Sequence, residues 1–282
     1  MFNFLFPLIA IIWEKLWNSF DKINFNKTKI KPQNQIFLVF IVMFLWAIVW
    51  FIVKWEKIPN FSLELFVMIL VIIFISFFQN IFQFNWISKK DLQAREPIIT
   101  LAPIITACIA YIVFPSEREE KYIIAILLSI LILYIFHFKK SFKITFDRWI
   151  LLIFGWVITS AVLANIYKYG LNIISPELLL TFRTAWILLL LLLFKQVIIT
   201  KKDFSNKALK LWLLSGCFYF IWHLTRLYSI KILWLNLTIL LLFLWPVFIF
   251  LFSFFILKEK IEMKNIISSF LILGVVIGTI VI

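Results

Sequence analysis

Ser76, Gln79, Asn80 and Gln83 stand at i, i+3, i+4 and i+7 within an apolar stretch, so a helix presents them as one polar stripe. Hydrocarbon would reject that face, which must meet protein or water instead. Advancing 143 residues from each lands on Tyr219, Trp222, His223 and Arg226, a second stripe with the same spacing. Two such stripes set face to face would line a central cavity able to hold a polar solute. The plainer alternative is that they bond to neighbouring helices, each such bond contributing about 0.6 kcal/mol.

Other ionisable or polar residues fall inside apolar runs. Glu14 lies about halfway along the first of them, where a carboxylate suits proton coupling, unless Glu14 and Lys15 reach water by snorkelling. Arg183 follows Glu177 by six residues and either pairs with it or clamps a substrate carboxylate or phosphate with its planar fork. Asn165 and Tyr167 could complete such a pocket. Arg226 and His223 tilt the expectation toward a solute with an anionic group.

Catalytic chemistry finds no constellation. His137 and His223 are the only histidines, and they fall on different segments. With five glycines in the chain there is no Gly-rich phosphate loop, HExxH or nucleophile elbow, so no enzyme, no cofactor and no metal site is expected. Cys108 and Cys217 are read as packing residues, since neither has a partner at metal spacing.

The elements that must carry these residues follow from composition. Hydrophobic residues make up 64% and charged residues 15%, against roughly 45–50% and 25% in soluble domains, which excludes a water-soluble globule. A helix needs about 20 apolar residues to cross the hydrocarbon core, and alternating strand patterns are absent. The expected fold is therefore all-α and integral to the membrane, with ten spans at 3–20, 36–54, 63–87, 95–114, 121–138, 149–168, 177–198, 208–230, 235–257 and 265–282. Phe2–Trp17 is expected to be a retained first helix. The formal net charge of +14 is scattered through the loops, which suits lipid headgroups and argues against nucleic acid as a partner.

The chain also resembles itself. At an offset of 143, Pro103 falls on Pro246, Ala94–Tyr111 on Leu237–Phe254, and the turn Ser116–Lys121 on Glu259–Lys264. Asn18–Lys22 similarly matches Ala164–Lys168 at a slightly different offset. Two repeats, 1–140 and 141–282, would each hold five spans; because five is odd, the second must insert the opposite way. Inverted repeats of this kind bind solutes near the bilayer midplane. Prolines in paired helices would allow bending.

Pro246 onward, through Leu257-Lys-Glu259 to Gly274 and Gly278, resembles the end of an EamA-type repeat in the drug/metabolite transporter superfamily. Glu96-Pro97, Leu101-Ala-Pro103 and Pro115-Ser-Glu117 resemble the same signature in the first half. The resemblance implies a ten-helix secondary transporter of a small organic metabolite, working by alternating access with ion or proton coupling or exchange. It also implies multi-pass insertion in the cytoplasmic (inner) membrane, with small-molecule substrate and lipid as partners and a homodimer as one assembly state. Ala10-Ile-Ile-Trp-Glu14 further resembles the opening helix of small multidrug resistance proteins, whose embedded glutamate exchanges protons for cationic drugs. Two rivals remain: a lipid or lipid-linked-sugar flippase, and a non-transporting scaffold subunit in which the two stripes pack together without a cavity. Loop charge places the termini outside and the resemblance places them inside.

Overall fold

The computed structural model describes residues 2–54, 59, 62–89, 96–99, 101–137, 148–195, 197–244 and 263–281, and every regular element among them is helical. The longer helices are α1 (Leu5–Thr28), α2 (Pro32–Lys54), α3 (Leu63–Lys89), α4 (Leu101–Val113), α5 (Glu120–His137), α6 (Arg148–Gly170), α7 (Pro176–Leu193), α8 (Asn206–Ile232), α9 (Leu235–Leu242) and α10 (Met263–Val281). Four of them, within α2, α3, α6 and α7, are by length and composition alone able to cross a membrane. Helix satisfies the backbone where lipid offers no hydrogen-bond partner. Outward-facing Leu45, Val49 and Val53 on α2, with Phe66, Leu70 and Phe74 on α3, are exposed, as a lipid-facing surface requires.

Local chemistry sets the ends. Lys29 takes a left-handed conformation (φ 55°) and returns its N–H to the Phe25 carbonyl, closing α1, and Pro32 then opens α2. Ser175 and Ser205 cap α7 and α8 through the backbone N–H groups of Leu178 and Ala208. The turn Pro115–Glu117 supplies a cap from a distance. Its fully buried Glu117 carboxylate accepts from the N–H groups of Leu235 (2.6 Å) and Asn236 (2.9 Å) at the start of α9. Lys168 lies 3.5 Å from the same carboxylate.

Two expectations about the helices change. The first helix runs to Thr28, eight residues past its predicted end at 20, because Asp21 and Asn24 turn inward and bond within protein. Pro103 falls in the first turn of α4, where a missing N–H leaves no helical bond broken, so it starts that helix and does not kink it. Pro246 lies outside the described residues, as do Lys258 and Glu259 and all but the last two of the Glu259–Lys264 turn.

Packing is symmetric when each of the first five helices is exchanged for the one five places later. α1 packs on α8 as α6 packs on α3; α2 meets α8 as α7 meets α3; α4 meets α6 as α9 meets α1. The pairs α2–α7 and α5–α10 exchange into themselves. The lysine pair follows the same rule: Lys22 Nζ donates to the Ile87 carbonyl at the end of α3 (3.1 Å), and Lys168 Nζ donates to the carbonyls of Ile230 (3.4 Å) and Leu233 (3.1 Å) at the end of α8. Cations at helix C-termini compensate the last carbonyls. Because Phe6 stacks on Tyr228 while Asp21 bonds Ser215, α1 and α8 run antiparallel, and the two lysine clasps lie at opposite ends of the bundle. The halves are thus inverted with respect to one another.

The helices approach closely where side chains are small. A Cβ on Gly216 of α8 would stand 2.6 Å from Val42 Cβ on α2, so glycine is needed for that contact. Cys217 is half-buried beside it and Cys108 is exposed; only the first of the two fits the packing expectation.

Candidate functional site

Arg183 is 1% exposed in the middle of the bundle, held on α7 between α3, α8 and α2. Its Nε donates to Ser76 Oγ (3.0 Å) and its Nη1 to the His223 ring (3.0 Å), while the guanidinium lies 5.9 Å from the centre of the Phe40 ring. An arginine only donates, so the imidazole nitrogen it meets is the unprotonated one. Nη2 is buried with no partner. Glu177 does not serve Arg183; it is buried at the start of α7 and accepts from the Tyr228 hydroxyl. The expected Arg183–Glu177 pair is therefore replaced by contacts to other helices, because the two side chains point to different layers of the bundle.

The two polar stripes do meet. Tyr219 donates to Asn80 Oδ1 (2.7 Å), Asn80 Nδ2 donates to the Ser76 carbonyl (2.6 Å), and Ser76 Oγ shares a 3.3 Å bond with Tyr167. Tyr219 also packs edge-on against Trp17 and His223, with ring centroids 4.6 Å apart in each case. The expected chamber between the stripes is absent among the described residues: Arg183 and Tyr219 fill that space and bind across it. Gln79 and Gln83 are buried on the same face and lie outside this network.

A hollow exists beside the network. A cavity of about 120 Å³ is walled by Glu14 of α1, Thr106 of α4, Ser160 of α6, Trp222 and Arg226 of α8, and Thr238 of α9. Of the residues expected to line a pocket, Glu14, Trp222 and Arg226 do so. Ser76, Asn80, Tyr219 and His223 belong to the packed network, and Asn165 donates to the Thr106 and Ala161 carbonyls with its own Oδ1 unpartnered behind the wall. Arg226 lies 5.5 Å from the Trp222 ring, and although Glu14 faces the same hollow the two charges do not close an ion pair. The hollow is small and partly open to the outside. A larger depression of about 560 Å³ between α3 and α6 is apolar and opens outward past Val67 and Tyr169, away from these charges.

Two buried acids, Asp21 and Asp203, escaped the sequence reading. Asp21 is fully buried, accepting from Gln35 Nε2 (2.6 Å) and Ser215 Oγ. It was hidden because it directly follows an apolar run and precedes Lys22, which makes it look like a loop charge. No group of three or more potential metal ligands occurs among the described residues.

No curated protein matches the sequence. A solved crystal structure only 13% identical superposes with a TM-score of 0.74, over 99% of this chain and 96% of its own, which establishes a common fold. The model of the EamA-like transporter family matches residues 147–281, the part that holds Arg183, His223 and Arg226. Residues 147–281 are thus similar to an EamA-like transporter domain, and the chain is a multi-span helical membrane protein.

Proposed function

We propose that the protein moves a small solute bearing both an anionic and a cationic group, an amino acid being the simplest case, by alternating access between the halves 1–140 and 141–282. One observation carries this: Glu14 and Arg226 line the same cavity from different halves and are not paired with each other. A solute carboxylate on Arg226 and an ammonium on Glu14 would satisfy both charges, and Trp222 would cover the apolar part. The inverted halves pack through α1–α8 and α3–α6, so rocking one against the other would open the cavity to alternate faces. Without a nucleotide-binding motif, the drive is an ion gradient or exchange, and residence in the cell membrane follows.

Direct packing of the two stripes is what a non-transporting scaffold would also display. Such a scaffold has no use for a Glu14 and an Arg226 that share a hollow without pairing with each other, and that favours transport. The test is uptake into proteoliposomes of radiolabelled amino acids, nucleosides and sugar phosphates, with Glu14→Gln and Arg226→Ala alongside. Amino-acid uptake weakened by both variants is expected. Uptake of sugar phosphates alone, or uptake unchanged in both variants, defeats the assignment.

A further inference from the structure

Asp21 is one of four buried acids among the described residues, beside Glu117, Glu177 and Asp203. Its carboxylate is 0% exposed, its Oδ1 accepts from Gln35 and Ser215, and its Oδ2 has no partner at all. Both donors are neutral. Lys22, next in the chain, turns its ammonium to the Ile87 carbonyl of α3. From α8 the groups facing Asp21 are Ser215 and, one turn on, the Tyr219 phenol; α2 presents the Gln35 amide, while its neighbour Asn34 bonds Ile198 and the Asp203 carboxylate. α9 carries no titratable side chain in Leu235–Leu242, the turn Phe2–Phe4 has none, and the acid of α3, Glu64, lies at the far end accepting from Tyr169.

The other buried acids differ in kind. Glu117 receives two backbone N–H groups and lies near Lys168; Glu177, whose Oε2 is also unpartnered, sits in the first turn of α7, where the helix favours negative charge; and Asp203 accepts from the Thr200 backbone N–H and from Asn34. Each has a backbone N–H group or a helix N-terminus beside it, and Asp21 has neither. An ionised carboxylate sealed away without a cation carries a large desolvation cost that the neutral acid avoids. Asp21 also lies on a seam that must part: Ser215 belongs to α8 of the second half, Asp21 to α1 of the first, and Gln35 shares a bond with Asn24 on the Asp21 side.

We propose that Asp21 is the proton-binding carboxylate of the transport cycle, neutral while the α1–α8 seam is shut and ionised when the seam opens to water. This rests on the alternating-access reading above and gives to Asp21 the coupling role that the sequence suggested for Glu14. On opening, the carboxylic O–H breaks heterolytically, the proton passing to water and the electron pair staying on the carboxylate. On the other face the carboxylate takes a proton back from water before the seam closes.

The experiment uses the full chain in lipid nanodiscs and follows the C=O stretch of protonated carboxylic acid in infrared difference spectra as pH is stepped. A titrating band is expected in the wild type, in Glu14→Gln and in Glu177→Gln, and is expected to vanish in Asp21→Asn, which keeps the side chain's shape. Ser215→Ala removes a donor to the ionised form and should raise the midpoint by about one pH unit. A band that survives Asp21→Asn, that is missing in the wild type, or that Ser215→Ala leaves in place overturns the proposal. In proteoliposomes with a radiolabelled amino-acid mixture as probe, an imposed proton gradient should drive accumulation by the wild type and none by Asp21→Asn; accumulation that Asp21→Asn retains overturns it too. If no amino acid exchanges in the wild type even without a gradient, the substrate reading fails while the infrared result still decides Asp21.

Discussion

Arg183 and Arg226 lie on neighbouring helices of the same half, and the bundle treats them in opposite ways. Arg183 is wedged among Ser76, His223 and Phe40, whereas Arg226 borders a hollow and faces Glu14 without touching it. A cation already bonded to neutral groups on several helices holds those helices in register. A cation left at the edge of a cavity opposite an unpaired acid is available to something that is not part of the chain. Family resemblance cannot separate these roles, since both arginines fall within the matched residues 147–281.

The largest effect should come from the packed side. Arg183→Ala opens a void and strips donors from Ser76 and His223, and is expected to cost about 3 kcal/mol, seen as a lowered melting temperature in nanodiscs. Arg183→Met, similar in volume and uncharged, should regain most of that loss. If methionine fails to do so, the charge itself holds the network and the contrast with Arg226 weakens. Next is Gly216→Val, whose added atoms would collide with Val42 on α2; a loss of about 2 kcal/mol in the same melt is expected. An unchanged melt there would mean that the α2–α8 contact is looser than described.

On the cavity side the readouts should invert. Arg226→Ala should raise the KM for amino-acid uptake roughly tenfold, about 1.4 kcal/mol, with little change in melting. A large melting shift with unaltered KM would put Arg226 in the same class as Arg183. The smallest effect is the coupling between Asn80→Ala and Tyr219→Phe, which a double-mutant cycle on stability should place near 0.6 kcal/mol. A coupling that appears in uptake and not in stability would move Asn80 and Tyr219 to the solute-binding side.

How far the sequence carried depends on the residue. Ser76 and Asn80 were legible as inward-facing because one turn of helix brings i and i+4 to the same side, whatever surrounds the helix. Their repeat partners Tyr219 and His223 were legible for the same reason, once the chain was laid over itself. The content of the space between the stripes was not legible, because Arg183, which fills it, lies 107 residues from Ser76 and 40 from His223. Asp21 was passed over since hydropathy ends the first span just before it, and only Gln35 and Ser215, 14 and 194 residues away, make its burial tolerable.

By itself the sequence determined that the chain is helical and lives in lipid, and it predicts a five-span unit repeated in inverted order. These properties follow from local composition, from the cost of bare peptide groups in hydrocarbon, and from an odd number of crossings. Tertiary structure alone decided which polar side chains cancel one another and which remain facing a hollow. That choice turns on ångström separations between helices far apart in the chain, and a hydrogen bond is lost over a distance that hydropathy does not register.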